Sequence, residues 1–218
     1  TRTAQNWTHP EAAMAQPPID TPRPTPWTRP LALVLATAVA VPAAIIPLVP
    51  ETYRPWGFAA FGAVALFTAA RGGRIGLAAG LVLALGAKLA FDLMNYANHG
   101  YDADYLPIWK LYVCLSVYGV LGWAILRHSR SPLRVAGVTF LASLLFFLTT
   151  NFGSWLGQSL PYDRGPAGLL ESYWMALPFW RGTLVSDLAF SGVLFGLHAA
   201  LSRAIVPAPV PVEHTPRG

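Results

Sequence analysis

The sequence predicts an all-α, polytopic membrane helical bundle, with about six transmembrane helices plus an outer interfacial helix or loop. Three observations carry this expectation. Charged residues make up 11 % of the chain, less than half the roughly 25 % of a soluble globular domain. The mean hydropathy is +0.45. The apolar residues are gathered into six runs, most of them close to the ~20 residues a helix needs to cross a hydrocarbon core of about 30 Å. These runs are too long for barrel strands, and only helices or closed barrels satisfy backbone polar groups in lipid.

Residues 1–30 form a polar tail with seven prolines, and 206–218 form a second with four. Proline fixes φ and lacks a donor, so both read as extended cytoplasmic tails flanking a transmembrane domain over 31–205. The first lacks a basic start followed by an apolar stretch and does not read as a signal peptide. The apolar spans run over 31–49, 56–70, 75–95, 106–126, 133–152 and 182–205. Pro42 and Pro47 should kink or break the outer half of the first span. The second is short for a crossing. Between the fifth and sixth spans, Trp155, Tyr162, Tyr173, Trp174 and Trp180 form an aromatic belt. An interfacial helix near 167–177, ended by Pro178, is one reading of this stretch; a loop tucked into protein is the other.

Positive charge sets the orientation. Arg23, Arg29, Arg71, Arg74, Arg127, Arg130, Arg134 and Arg203 fall on one side. Arg54, Lys110, Arg164 and Arg181 fall on the other. The richer side is expected to be cytoplasmic, which puts both termini inside. The net charge of +5 is thereby a matter of topology, not of nucleic-acid binding. The one cysteine, Cys114, excludes a disulfide scaffold. There is no phosphate loop, no metal-ligand spacing and no nucleophile elbow: in Gly153-Ser-Trp-Leu-Gly157 the serine stands second, not third. No catalysis, no metal and no cofactor are expected.

The ionisable residues inside the spans are the functional candidates, because charge in a membrane is costly. Lys88 and Asp92 stand at i, i+4 on one helical face and can pair. Asn151 closes the outer end of the fifth span, Trp155 follows it, and Asp187 opens the sixth from the same side. All five lie in outer halves. They could line an outward-facing pocket for a small polar solute, or Lys88–Asp92 could be an internal ion pair that holds helices together. His198 reads as a buried or headgroup-bonded histidine. Two ladders of small residues, Ala32, Ala36 and Ala40, and Gly72, Gly76 and Gly80, permit close helix approach. They could close the protein's own bundle or dock another membrane subunit.

Phe146-Phe-Leu-Thr-Thr-Asn-Phe-Gly-Ser-Trp155, followed by Tyr162, Gly168-Leu169, Tyr173, Pro178-Phe179 and Leu184-Val-Ser-Asp187, resembles an uncharacterised family of small six-helix bacterial membrane proteins. Phe58–Gly62, Asp92 and Tyr118–Gly122 extend the likeness more weakly. That family is in turn similar to the substrate-binding (S) components of energy-coupling-factor vitamin transporters. The resemblance implies a bacterial inner-membrane protein with six helices, cytoplasmic termini, an outward ligand pocket and an alanine ladder on the first helix that docks a coupling subunit. The proline-rich tails and the breaks at Pro42 and Pro47 depart from it. Two functions follow as expectations. One is the small-solute-binding subunit of an uptake transporter. The other is a non-catalytic structural subunit of a larger energy-transducing, respiratory or photosynthetic membrane complex, contacted through the tails and ladders.

Overall fold

The computed structural model describes residues 28–49, 53, 60–99, 108–157 and 162–205. The two tails, apart from 28–30, and the start of the second apolar span at 56–59 lie outside the described residues, as do the side chains of Trp109 and Lys110. Among the described residues there are six α-helices and no strand. They are α1 (Thr28–Ile45), α2 (Phe61–Arg71), α3 (Gly76–His99), α4 (Ile108–Leu121), α5 (Pro132–Leu156) and α6 (Pro166–Ile205). α1, α3, α5 and α6 are each long and apolar enough to cross a membrane, and the chain is an integral membrane helical protein.

Sequence chemistry sets the ends of these helices. α1 runs through Pro42 and stops at Ile45, where a 3₁₀ turn over Ile46–Leu48 takes Pro47 into its first turn. That position has no N–H to lose. Between α2 and α3, Gly73 adopts φ = +74°, a left-handed conformation open to glycine at little cost. Ser131 caps α5 by accepting from the Arg134 amide at 3.3 Å, and Pro132 follows it at the first helical position. α4 ends in a π turn over Gly122–Leu126.

α6 departs from expectation. The segment near 167–177 is its first turns, and the helix continues through Pro178 for 40 residues in all. At 1.5 Å per residue that is about 60 Å, twice a hydrocarbon core. Pro178 removes the hydrogen bond to the Trp174 carbonyl, but Trp174, Pro178 and Phe179 all lie on the exposed side. The turn that proline opens therefore faces away from the bundle, and the packed turns on either side hold the axis.

α2 is the hub. Every residue from Phe61 to Ala70 is buried, because α1, α3, α4 and α6 surround it. At 11 residues, about 16 Å, the described helix is half a crossing. Lipid tails are as apolar as leucine, so packing quality and not water exclusion holds such a helix in place. Small residues supply the packing. A methyl on Gly76 or Gly80 would press on the Thr68 and Ala65 carbonyls, and one on Gly122 would overlap the Leu66 backbone.

The first and last helices bring their described ends to one face, so the six alternate in direction. On that face His198 Nε2 lies 3.0 Å from the Thr28 carbonyl. Arg71 crosses from α2 to donate to the Leu126 carbonyl at 3.1 Å and to the Ser129 carbonyl. Its guanidinium also sits 5.1 Å over the Phe195 ring. Arg71 thus caps the carbonyls that the end of α4 leaves open.

Candidate functional site

The polar residues of the bundle sort into separate places rather than one pocket. The deepest is a node where α2, α4, α5 and α6 meet. Tyr118 on α4 donates from its hydroxyl to Asp187 Oδ2 on α6 at 2.6 Å, and both residues are 1 % exposed. Gly62 on α2 makes the approach possible: a Cβ there would fall 2.5 Å from Tyr118 Cε1 and 2.9 Å from Asp187 Oδ1. Ser143 on α5 is fully buried beside both groups. Its Oγ makes no hydrogen bond of good geometry. One turn further along the same two helices, the buried hydroxyls of Thr139 and Ser191 also lack a partner.

The second place is on α3. Lys88 and Asp92 form the expected i, i+4 ion pair, with side chains 16 % and 26 % exposed. The ammonium also lies 5.4 Å over the Phe91 ring. Phe91 meets Phe61 edge-on at 5.6 Å. Tyr112 on α4 is close enough to Asp92 to feel its charge, and its hydroxyl is buried without a hydrogen bond.

Asn151 and Trp155 shape the far end of the α5–α6 hairpin. Asn151 turns its amide back onto its own helix, donating to the Phe147 carbonyl at 2.8 Å. Trp155 Nε1 donates to the Asp163 carbonyl at 2.9 Å. Below them Tyr173 donates to the Leu148 carbonyl at 3.1 Å, and Trp180 stacks on Phe147 at 5.0 Å. Asn151, Trp155 and Asp187 therefore sit on one hairpin at different heights, while Lys88 and Asp92 belong to α3.

The open space lies elsewhere. A half-open groove of about 560 Å³ lies between the end of α1, the turn after it and α6, with Ala38, Pro42, Ala43, Ile46, Ala60 and Phe190 along it, and its outer walls, Ile45, Leu48 and Val49, are exposed on the surface of the bundle. None of the five candidate ligand residues lines it. It is apolar, whereas the sequence suggested a polar pocket. The reason is that each charged or amide group has already found a partner in its own helix or a neighbour, which is how buried polar groups survive in lipid. One polar atom is nevertheless available. Pro42 has no N–H, so the Ala38 carbonyl, four residues back on the same wall, loses its usual helical donor.

Both small-residue ladders face inward. Ala32, Ala36 and Ala40 are buried within the chain, and Gly72, Gly76 and Gly80 pack α3 and its preceding turn onto α2. Of their two roles, the structure displays the first, closure of the bundle itself. His198 is buried and bonded, as expected. Tyr118, Ser143 and Gly62 are the residues that sequence reasoning left out of the site. A signal existed: Phe58–Gly62, Tyr118–Gly122 and Leu184–Asp187 are three of the stretches that carry the family likeness, and residues from all three meet at the node. Among the described residues no group of three or more His, Cys, Asp or Glu side chains could hold a metal.

A family model described as a family of unknown function (DUF6580) matches residues 25–210. That range takes in all six helices. No curated protein and no solved structure matches the chain.

Proposed function

The chain belongs to the DUF6580 family of unknown function, and from its geometry we propose that it is the solute-binding membrane subunit of an uptake system, with no catalytic step of its own. The observation that supports this reading is the cavity between α1, Ala60 and Phe190. Its volume of about 560 Å³ falls within the range of small-molecule sites. Its walls narrow the solute class. The body of the solute is apolar, and a hydrogen-bond donor on it meets the Ala38 carbonyl freed by Pro42. The Lys88–Asp92 pair stands one aromatic layer behind, since Phe91 touches Phe61, the neighbour of the cavity's Ala60. The cavity lies on the half of the bundle away from Thr28 and Ile205, the described ends of α1 and α6, and we infer from the arginine distribution that this half faces outward. Coupling to further membrane subunits falls to the lipid-facing surface and the tails, because both ladders are occupied.

The test uses the full chain in lipid nanodiscs with an uncharged naphthalene fluorophore as probe. Saturable, one-to-one binding is expected. Ala38→Trp fills the cavity from an exposed wall and should abolish binding without changing helicity or melting temperature. Equal binding to both proteins, or binding that scales only with lipid, overturns the reading.

A further inference from the structure

We propose that Asp187 is the anchor of a buried site for a single monovalent cation, a proton or a sodium ion, inside the bundle. The inference is independent of the solute cavity, which Asp187 does not line. It starts from charge balance. A carboxylate in a membrane interior needs a compensating positive charge, because desolvation penalises an unpaired buried ion even after the protein relaxes around it.

The neighbours offer none. α4 brings Tyr118, whose hydroxyl binds Oδ2 as a neutral donor. α5 brings Ser143, also neutral, and no charged group among the described residues acts on Asp187. α2 brings Gly62, and its one cation, Arg71, is committed to the Leu126 and Ser129 carbonyls at the opposite end of that helix. On α6 itself Arg181, six residues before Asp187 and about 9 Å along the axis, is exposed, and His198, 11 residues after it and about 16 Å away, is bound to the Thr28 carbonyl. Lys88 is engaged with Asp92 on α3. Among the described residues, therefore, nothing neutralises Asp187.

The second observation is independent of the acid. Two hydroxyls, from Thr139 and Ser191, are at least 99 % buried and without a hydrogen-bond partner, and the equally buried Ser143 stands beside Tyr118 and Asp187 without a hydrogen bond of good geometry. They stand on the same stretch of the antiparallel α5–α6 pair. Thr139 is one turn from Ser143, and Ser191 is one turn from Asp187. An orphaned hydroxyl in lipid is costly, and four oxygen-bearing side chains on two facing helix stripes suit a small hard cation. A proton on Oδ1 would donate to the nearest of these oxygens, whereas sodium would take several as ligands. Both supply the missing positive charge.

The experiment is infrared difference spectroscopy on the full chain in lipid nanodiscs, comparing native protein with Asp187→Asn. Two outcomes support the site. A protonated-carboxyl C=O band, present in native protein, absent in Asp187→Asn and lost reversibly on alkalinisation, identifies a proton. A carboxylate band that shifts on exchanging potassium for sodium, and only with Asp187 present, identifies sodium. Should Asp187→Asn not assemble, Tyr118→Phe serves in its place. Removing the hydrogen bond to Oδ2 moves an Asp187 band in frequency and leaves bands from other carboxyls unmoved. A carboxylate signal at Asp187 that is indifferent to pH and to both cations overturns the proposal, as does a protonated-carboxyl band that is unchanged by both substitutions.

Discussion

Tyr118 and Asp187 stand 69 residues apart in sequence and are joined by a 2.6 Å hydrogen bond at the centre of the bundle. The bond ties α4 to α6 across Gly62 of α2, so one contact fixes the relative heights of three helices. Tyr118→Phe removes the donor and keeps the ring against Phe146. A loss of about 1–3 kcal/mol is expected, the cost of stranding a buried acceptor, measured by unfolding in mixed detergent–denaturant micelles. Unchanged stability would mean that the node positions nothing.

The glycines divide by what a methyl would strike. Gly122→Ala meets the Leu66 backbone, which cannot swing away, whereas Gly62→Ala meets Tyr118 and Asp187 side chains. Each should cost about 1–3 kcal/mol, with Gly122→Ala the worse. Gly137→Ala and Gly192→Ala meet nothing within 4 Å and should stabilise by about 0.5–1 kcal/mol, because alanine is the better helix residue. The order of the four melting temperatures tests the helix spacing directly.

Arg71 connects α2 to the end of α4 by hydrogen bonds to backbone carbonyls. Arg71→Gln is too short to reach them. Amide exchange over 122–131 should accelerate, while exchange in the middle of α3 stays as in the native protein. A uniform acceleration across all helices would assign Arg71 a global role instead of a local one.

For Lys88 and Asp92, half-measures should be worse than removal. Lys88→Met alone leaves a carboxylate without its partner and should cost about 1–2 kcal/mol, a figure reduced for the pair's partial exposure. The double substitution Lys88→Met, Asp92→Leu should recover most of that loss. If the pair serves the solute, the double variant melts like native protein but binds the probe differently.

Much of this fold is legible in sequence, and the exceptions have physical causes. Helix directions follow from apolar length and from arginine placement, because lipid permits little else. The central position of α2 is harder to read. A helix that is apolar all round is buried in a soluble protein, but lipid-facing helices look the same. Only the run of glycine and alanine across Gly62, Ala63, Ala65, Ala69 and Ala70 distinguishes it. Pro178 reads as a helix end because proline breaks helices on average, yet here it lies on the exposed side of α6 and the packed turns around it carry the helix on. Lys88–Asp92 was readable as a pair because helical spacing alone creates it. Asp187 was readable as an interior charge. Its partner was not, since no local spacing connects α6 to Tyr118. The cavity was out of reach for a similar reason: its walls are alanines, a proline and a phenylalanine with no chemistry to mark them.

The central claim is that the apolar cavity beside Ala38 receives a small solute. Replacing Ala38 with p-benzoylphenylalanine, irradiating native membranes and weighing the intact protein tests it most directly. A single discrete adduct with the mass of a small, non-lipid molecule is the expected result. Adducts with membrane phospholipid alone would show a lipid-filled groove and contradict the solute-binding account.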